Sequence, residues 1–240
     1  MGLGPYVASI SGIASVCALT AALLGGIAVG TLFWSTSQIG VTYADGTFGG
    51  LAMNVGLFRT QYVLWNNAIV TPCWWGGICA IGTVYNVWYD QCPPNVSDCG
   101  TIETVSDATF GLGVGAVVLV FFLMCLPWSS TITPVSGFCT VFLAFLSFGA
   151  FVSGIVIWRV LVFTKLSNFY VQSVPYLKVI WPTLLTATFE QTYFPVSLNA
   201  YSFILFAIAT SFAGLLMFVA LPLLCVRKST DEYSGEKNPV

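Results

Sequence analysis

Apolar positions in this chain gather into four long runs, residues 8–33, 110–126, 138–163 and 201–226, and the polar positions lie between them. About 20 residues at a rise of 1.5 Å cross a hydrocarbon core of roughly 30 Å, so each run predicts a transmembrane helix. The shortest, 110–126, is extended at little cost by Thr109 and Pro127. Arg159 is the one charged residue inside the four runs, close enough to the end of the third for its stem to carry the guanidinium to the interface. The first run has no basic leader and is far longer than the 7–15 residues of a signal-peptide core, so it reads as a retained span.

The connections differ in length and texture: 34–109, 127–137, 164–200 and a polar tail, 227–240. Within the first, apolar and polar residues alternate over 40–46, 56–65 and 82–89. These stretches are rich in Val, Thr, Tyr and Trp and are bounded by Asp-Gly and Gly-Gly. Period two with those residue types predicts short antiparallel strands and a small sheet. A sheet of that size is marginal alone and needs disulfides or packing on helix ends. The third connection closes on an alternating stretch, Thr186–Pro195, which predicts an added edge strand that Pro195 stops; Lys178 and Trp181 mark a preceding exposed turn or short helix. The expected fold is an integral membrane, mainly α protein: a four-helix bundle with a small extracellular antiparallel sheet from the first long loop and an edge strand from the second.

Composition narrows the function. Of the residues 57% are hydrophobic and 7% charged, against roughly 25% charged in a soluble domain, which excludes an ordinary soluble protein. Histidine is absent, and with it the commonest general base and metal ligand; an enzyme, a metal site, a cofactor and a small-molecule substrate are not expected. A net charge of −2 supplies no field for nucleic acid. No carboxylate lies in any of the four runs, which argues against a conventional ion or proton path through one chain.

Four cysteines, Cys73, Cys79, Cys92 and Cys99, crowd the first long loop as C-x5-C-x12-C-x6-C. That spacing is neither a redox dithiol nor a zinc site and reads as a disulfide set in an oxidising compartment, with three connectivities open. The only glycosylation sequon, at Asn95, falls in the same loop. Both signals place the long loops outside and both termini in the cytoplasm of a plasma-membrane protein; Arg227 and Lys228 agree by the positive-inside rule, although Lys165 and Lys178 nearly balance them. Cys17, Cys125, Cys139 and Cys225 lie in or near the spans and read as small apolar residues.

Trp34, Trp128 and Trp158 at the span ends suit an aromatic belt. Small residues four apart, Gly26 and Gly30, Gly111 and Gly115, Ala150 and Gly154, Thr210 and Gly214, predict close helix packing within the bundle, with a lateral homodimer face as the alternative. Trp74, Trp75 and Arg59 are candidate interface residues, since Trp and Arg dominate interface hot spots; Trp74 and Trp75 read equally as buried or membrane-contacting.

Trp34 at the exit of the first span, Gly56-Leu57-Phe58, the loop cysteines and the four-span layout together resemble the claudin-like superfamily: claudins, peripheral-myelin and epithelial-membrane proteins, channel gamma subunits and clarins. Phe58 stands where claudins carry tryptophan, as in clarins. The resemblance implies a left-handed four-helix bundle topped by an extracellular sheet, which Trp34, Gly56, Leu57 and Phe58 anchor to the membrane. Connexins and tetraspanins distribute their cysteines differently. The expected function is a non-enzymatic accessory subunit of a membrane channel or receptor; the alternative is adhesion or a cell junction, made by lateral homo-oligomers that could also form a pore. The expected partners are the lipid bilayer and a membrane protein or a second copy.

Overall fold

A computed structural model describes residues 4–31, 34–66, 83–89, 96, 98–125, 134–189, 196–197 and 200–222. In chain order the elements are α1 (Gly4–Gly30), β1 (Ser35–Thr42), β2 (Phe48–Val55), β3 (Arg59–Asn66), β4 (Thr83–Trp88), α2 (Cys99–Cys125), α3 (Pro134–Ile157), a π-wound turn (Trp158–Val162), α4 (Phe163–Ile180), β5 (Thr188–Phe189), β6 (Val196–Ser197) and α5 (Tyr201–Ala220). Four helical stretches, Ser9–Gly30, Cys99–Met124, Gly137–Leu166 and Tyr201–Ala220, are long and apolar enough to cross a membrane. The protein is therefore mainly helical and of multi-pass membrane type, with a small antiparallel sheet.

Two compact units divide the chain: Met1–Gly26, Leu112–Val152 and Ala207–Val240 in one, Ile27–Gly111 and Ser153–Phe206 in the other. The first is helix packed on helix through small side chains. On α1, Ala14, Ala18, Ala21 and Gly25 are all buried and follow one helical face. A Cβ at Gly25 would stand 3.0 Å from the Phe151 ring and from Val117, so the helices approach here as closely as glycine permits. Gly214 is equally tight, 3.1 Å from Phe148, and Thr210 is buried.

The remaining small pairs need a correction. Among the described residues a Cβ on Gly26, Gly30, Gly111 or Gly115 would meet no atom within 4 Å, so these four make no close helix contact there. The face in use on α1 is rotated by one residue, about 100°, to the alanine stripe that ends in Gly25. Ala150 is half-buried, whereas Gly154, in the second unit, does pack, its Cβ position 3.2 Å from Phe206. One consequence is a sharp contrast. Gly25→Val should destabilise the protein by about 1–3 kcal/mol through overpacking, and Gly26→Val should be close to neutral. Thermal unfolding of the two variants in mild detergent decides; equal effects would return the packing face to Gly26.

In the second unit the sheet runs β4-β3-β2-β1-β5, with β6 also on β1. The first hairpin turns at Asp45-Gly46, as the sequence signal indicates. Gly46 has φ 78°, and the Asp45 carboxylate accepts from the Thr47 hydroxyl at 2.6 Å and the Thr47 amide at 2.9 Å, which holds its pKa below the usual carboxylate range. Expected strands at 40–46, 56–65 and 82–89 overlap β1, β3 and β4, but β2 is additional. Its residues Gly49–Val55 are buried on both faces and so carry no alternation. Thr188–Phe189 pairs with Val41–Thr42, the edge addition expected of Thr186–Pro195. Pro195 does not end the pairing: Val196 and Ser197 join β1 immediately afterwards, at Ser37 and Thr36.

Two connections are also more helical than the apolar runs indicate. The second long helix begins at Cys99 rather than Phe110 and takes in Glu103 and Asp107. Helical winding continues from the third span to Ile180, where a loop over 164–200 was expected. Trp181 follows it and is buried, not exposed.

Candidate functional site

The Gly56-Leu57-Phe58 motif is the turn between β2 and β3. The Gly56 amide donates to the Arg59 carbonyl at 3.0 Å, Leu57 is buried, and the Phe58 ring meets Phe110 edge-on at 4.6 Å. Tyr89 fastens this turn: its hydroxyl donates to the Gly56 carbonyl at 2.9 Å and lies 3.2 Å from the Thr60 hydroxyl, and its amide donates to the Phe58 carbonyl.

Trp34 joins the sheet to the helix ends within the same unit. Its amide donates to the Val55 carbonyl at 2.9 Å, while its indole N–H donates to the Ala28 carbonyl at 2.9 Å, one of the last carbonyls of α1, which lack a partner within the helix. The ring lies against Phe206 (5.0 Å), Trp158 (5.2 Å) and Phe203 (6.3 Å). Trp34 and Trp158 are completely buried. They are therefore core residues and not an aromatic belt; Trp128 lies outside the described residues.

One face of the sheet rests on α4. Leu166, Phe169, Tyr170, Ser173 and Leu177, spaced three and four apart, are buried along that helix. Tyr62 on β3 hydrogen-bonds to Ser173, the Tyr170 hydroxyl faces Ser35, and the Tyr85 and Tyr176 hydroxyls are 3.0 Å apart. Burial pushes the phenols of Tyr62, Tyr89 and Tyr170 well above their ordinary value.

The opposite face carries the candidate interface. Register places Arg59 opposite Trp88, Gln61 opposite Asn86 and Val63 opposite Val84. The Arg59 guanidinium sits 4.9 Å from the centre of the Trp88 ring. Asn54 donates to Gln61 at 3.3 Å, and Asn86 continues that row of amides on β4. Trp88 and Val84 remain 45% and 48% exposed, large apolar groups facing outward from an uncharged strand. Sequence reasoning selected Arg59 but passed over Trp88, although its place in the alternating run 82–89 was the available signal.

Other expected residues fall elsewhere. Cys73, Cys79, Cys92, Trp74, Trp75 and Asn95 lie outside the described residues. Cys99 is disulfide-bonded, while Cys17 and Cys139 are free. Among the described residues no group of three or more Cys, Asp or Glu is placed to hold a metal ion. The sequence matches no protein-family model, and no curated protein is significantly similar to it.

Proposed function

We propose that this chain is a claudin-like, non-enzymatic accessory subunit of a larger plasma-membrane complex, a channel or a receptor, with the sheet outside and both termini in the cytoplasm. The observation that carries the reading is the Arg59–Trp88 pair with Val84 on the outward face of the sheet. An exposed aromatic and aliphatic pair with a guanidinium over the ring is suited to contact with another protein. The buried tyrosines and Trp34 serve that surface as scaffold. Support for the orientation comes from the disulfide at Cys99 and the sequon at Asn95, both at home in an oxidising lumen. The Trp34 and Gly56-Leu57-Phe58 contacts fit the anchoring role that the family resemblance implies.

Adhesion or junction formation through lateral homo-oligomers, with an oligomeric pore as its extension, is the second reading. The outward Gly26 and Gly30 on α1 favour it, because small residues free of internal packing allow another helix to approach.

Extraction of the native membrane in mild detergent, with mass determination and identification of what travels with the chain, separates the two. A stoichiometric membrane partner is the expected result, and Trp88→Ala should weaken its retention by about tenfold or more. A ladder of homo-oligomers without a partner would replace the accessory reading with the adhesive one.

A further inference from the structure

Four cations lie among the described residues, and three are engaged. Lys165 pairs with Asp98 at 3.4 Å, Arg59 covers Trp88, and Lys178 lies 5.6 Å from the centre of the Phe189 ring. Arg159 has no such contact among the described residues. It is exposed, and it sits inside the apolar stretch Gly137–Leu166 that is long enough to cross a membrane. A guanidinium cannot remain bare in hydrocarbon; it costs about 2.5–3.5 kcal/mol at a span centre unless it reaches a counter-charge or the interface.

Its height in the unit is fixed by its neighbour. The Trp158 ring packs at a tilt against Trp34, whose indole is bonded to Ala28 in the last turn of α1, and Trp34 also touches Phe203 and Phe206 in the first two turns of α5. Arg159 therefore follows the residue that packs on the ends of two other spans, and span ends are where a bilayer's headgroups begin. The π winding of Trp158–Val162 sends Trp158 inward, while Arg159 and Val160 face out. Val156, three residues before Arg159, and Val160, the residue after it, are 51% and 55% exposed.

We propose that Arg159, with Val156 and Val160, forms a binding site for a glycerophospholipid: the phosphate on the guanidinium, an acyl chain against the valines. A planar guanidinium matches phosphate oxygens in a bidentate fork, which an ammonium cannot reproduce. The site rests on the four spans alone and stands whether or not the accessory reading does.

The test is native mass spectrometry of the full chain in mild detergent, titrated in turn with short-chain phosphatidylglycerol, with diacylglycerol of the same chains, and with inorganic phosphate. Phosphatidylglycerol should form a stable one-to-one adduct and the other two should not. Arg159→Gln should weaken the adduct by about tenfold and Arg159→Lys by less. Unaltered thermal unfolding of both variants without lipid shows that neither change acts through folding. Undiminished binding by Arg159→Gln, an equal adduct with diacylglycerol, or binding of inorganic phosphate alone would each overturn the proposal. So would an Arg159-dependent protein partner held equally well after delipidation, which would assign the guanidinium to a partner's carboxylate.

Discussion

Trp34→Ala should lower the stability of the protein by about 3–5 kcal/mol, the range for emptying a fully buried tryptophan site. In a chain of this length that is roughly a 10 °C fall in the unfolding temperature. Size alone does not make the case. The side chain holds the end of α1 by its indole and three aromatic rings by its faces, so a single truncation releases both at once, while the backbone amide keeps its bond to Val55 of β2. Thr31 softens one part of the loss, since its hydroxyl also reaches the Ala28 carbonyl at 3.3 Å. Trp34→Phe should retain most of the ring contacts and lose the indole hydrogen bond, at about 1 kcal/mol for that bond. The graded order Trp, Phe, Ala, read from thermal unfolding in mild detergent, is the signature of a core anchor. An alanine variant as stable as the parent would mean that the ring belongs to the lipid surface after all.

The spans were legible because apolar length is a property of composition, and length is what a bilayer demands. Which face of each helix packs was not. In α1 the outward side chains Ile13, Val16, Leu19, Leu23 and Ile27 are as apolar as the inward ones, so no polar face betrays the orientation. The Gly26 and Gly30 pair looked like the closer approach, yet Ala14, Ala18, Ala21 and Gly25 hold the contact. Two other features were hidden for opposite reasons. Strand β2 is buried on both faces and reads as an apolar run containing Gly49-Gly50, while α2 begins in a polar stretch whose Glu103 and Asp107 resemble a loop. Helix α4 was readable in its spacing of buried residues, but Pro175 in its middle suggests a break; that proline is accommodated on the exposed side. At the candidate interface, Arg59 was legible from its residue type alone. Trp88 needed the register that sets it beneath the guanidinium.

Above about pH 10 the protein should lose stability steeply, by about 4 kcal/mol per pH unit. The sign follows from Tyr62, Tyr89 and Tyr170, which lie between the sheet, its turn and α4 and whose phenols are raised above the ordinary value, burial being the first cause in each. In the unfolded chain a tyrosine ionises near pH 10, whereas in the folded protein these three stay neutral. Below that pH their contribution is fully present; as pH rises through and above it, the unfolded state sheds protons that the native state keeps. Each group then contributes about 1.4 kcal/mol per unit, and three act together until the fold gives way. Phenolate absorbance recorded alongside unfolding should show these hydroxyls releasing their protons with the structural transition and not before it. Tyr170→Phe should remove about one third of the slope without breaking the Tyr89 contacts to the Gly56-Leu57-Phe58 turn. Ionisation of all tyrosines near pH 10 in a still-folded protein would mean that water reaches the face between sheet and helix, and the rigid support beneath Arg59 and Trp88 would be lost with it.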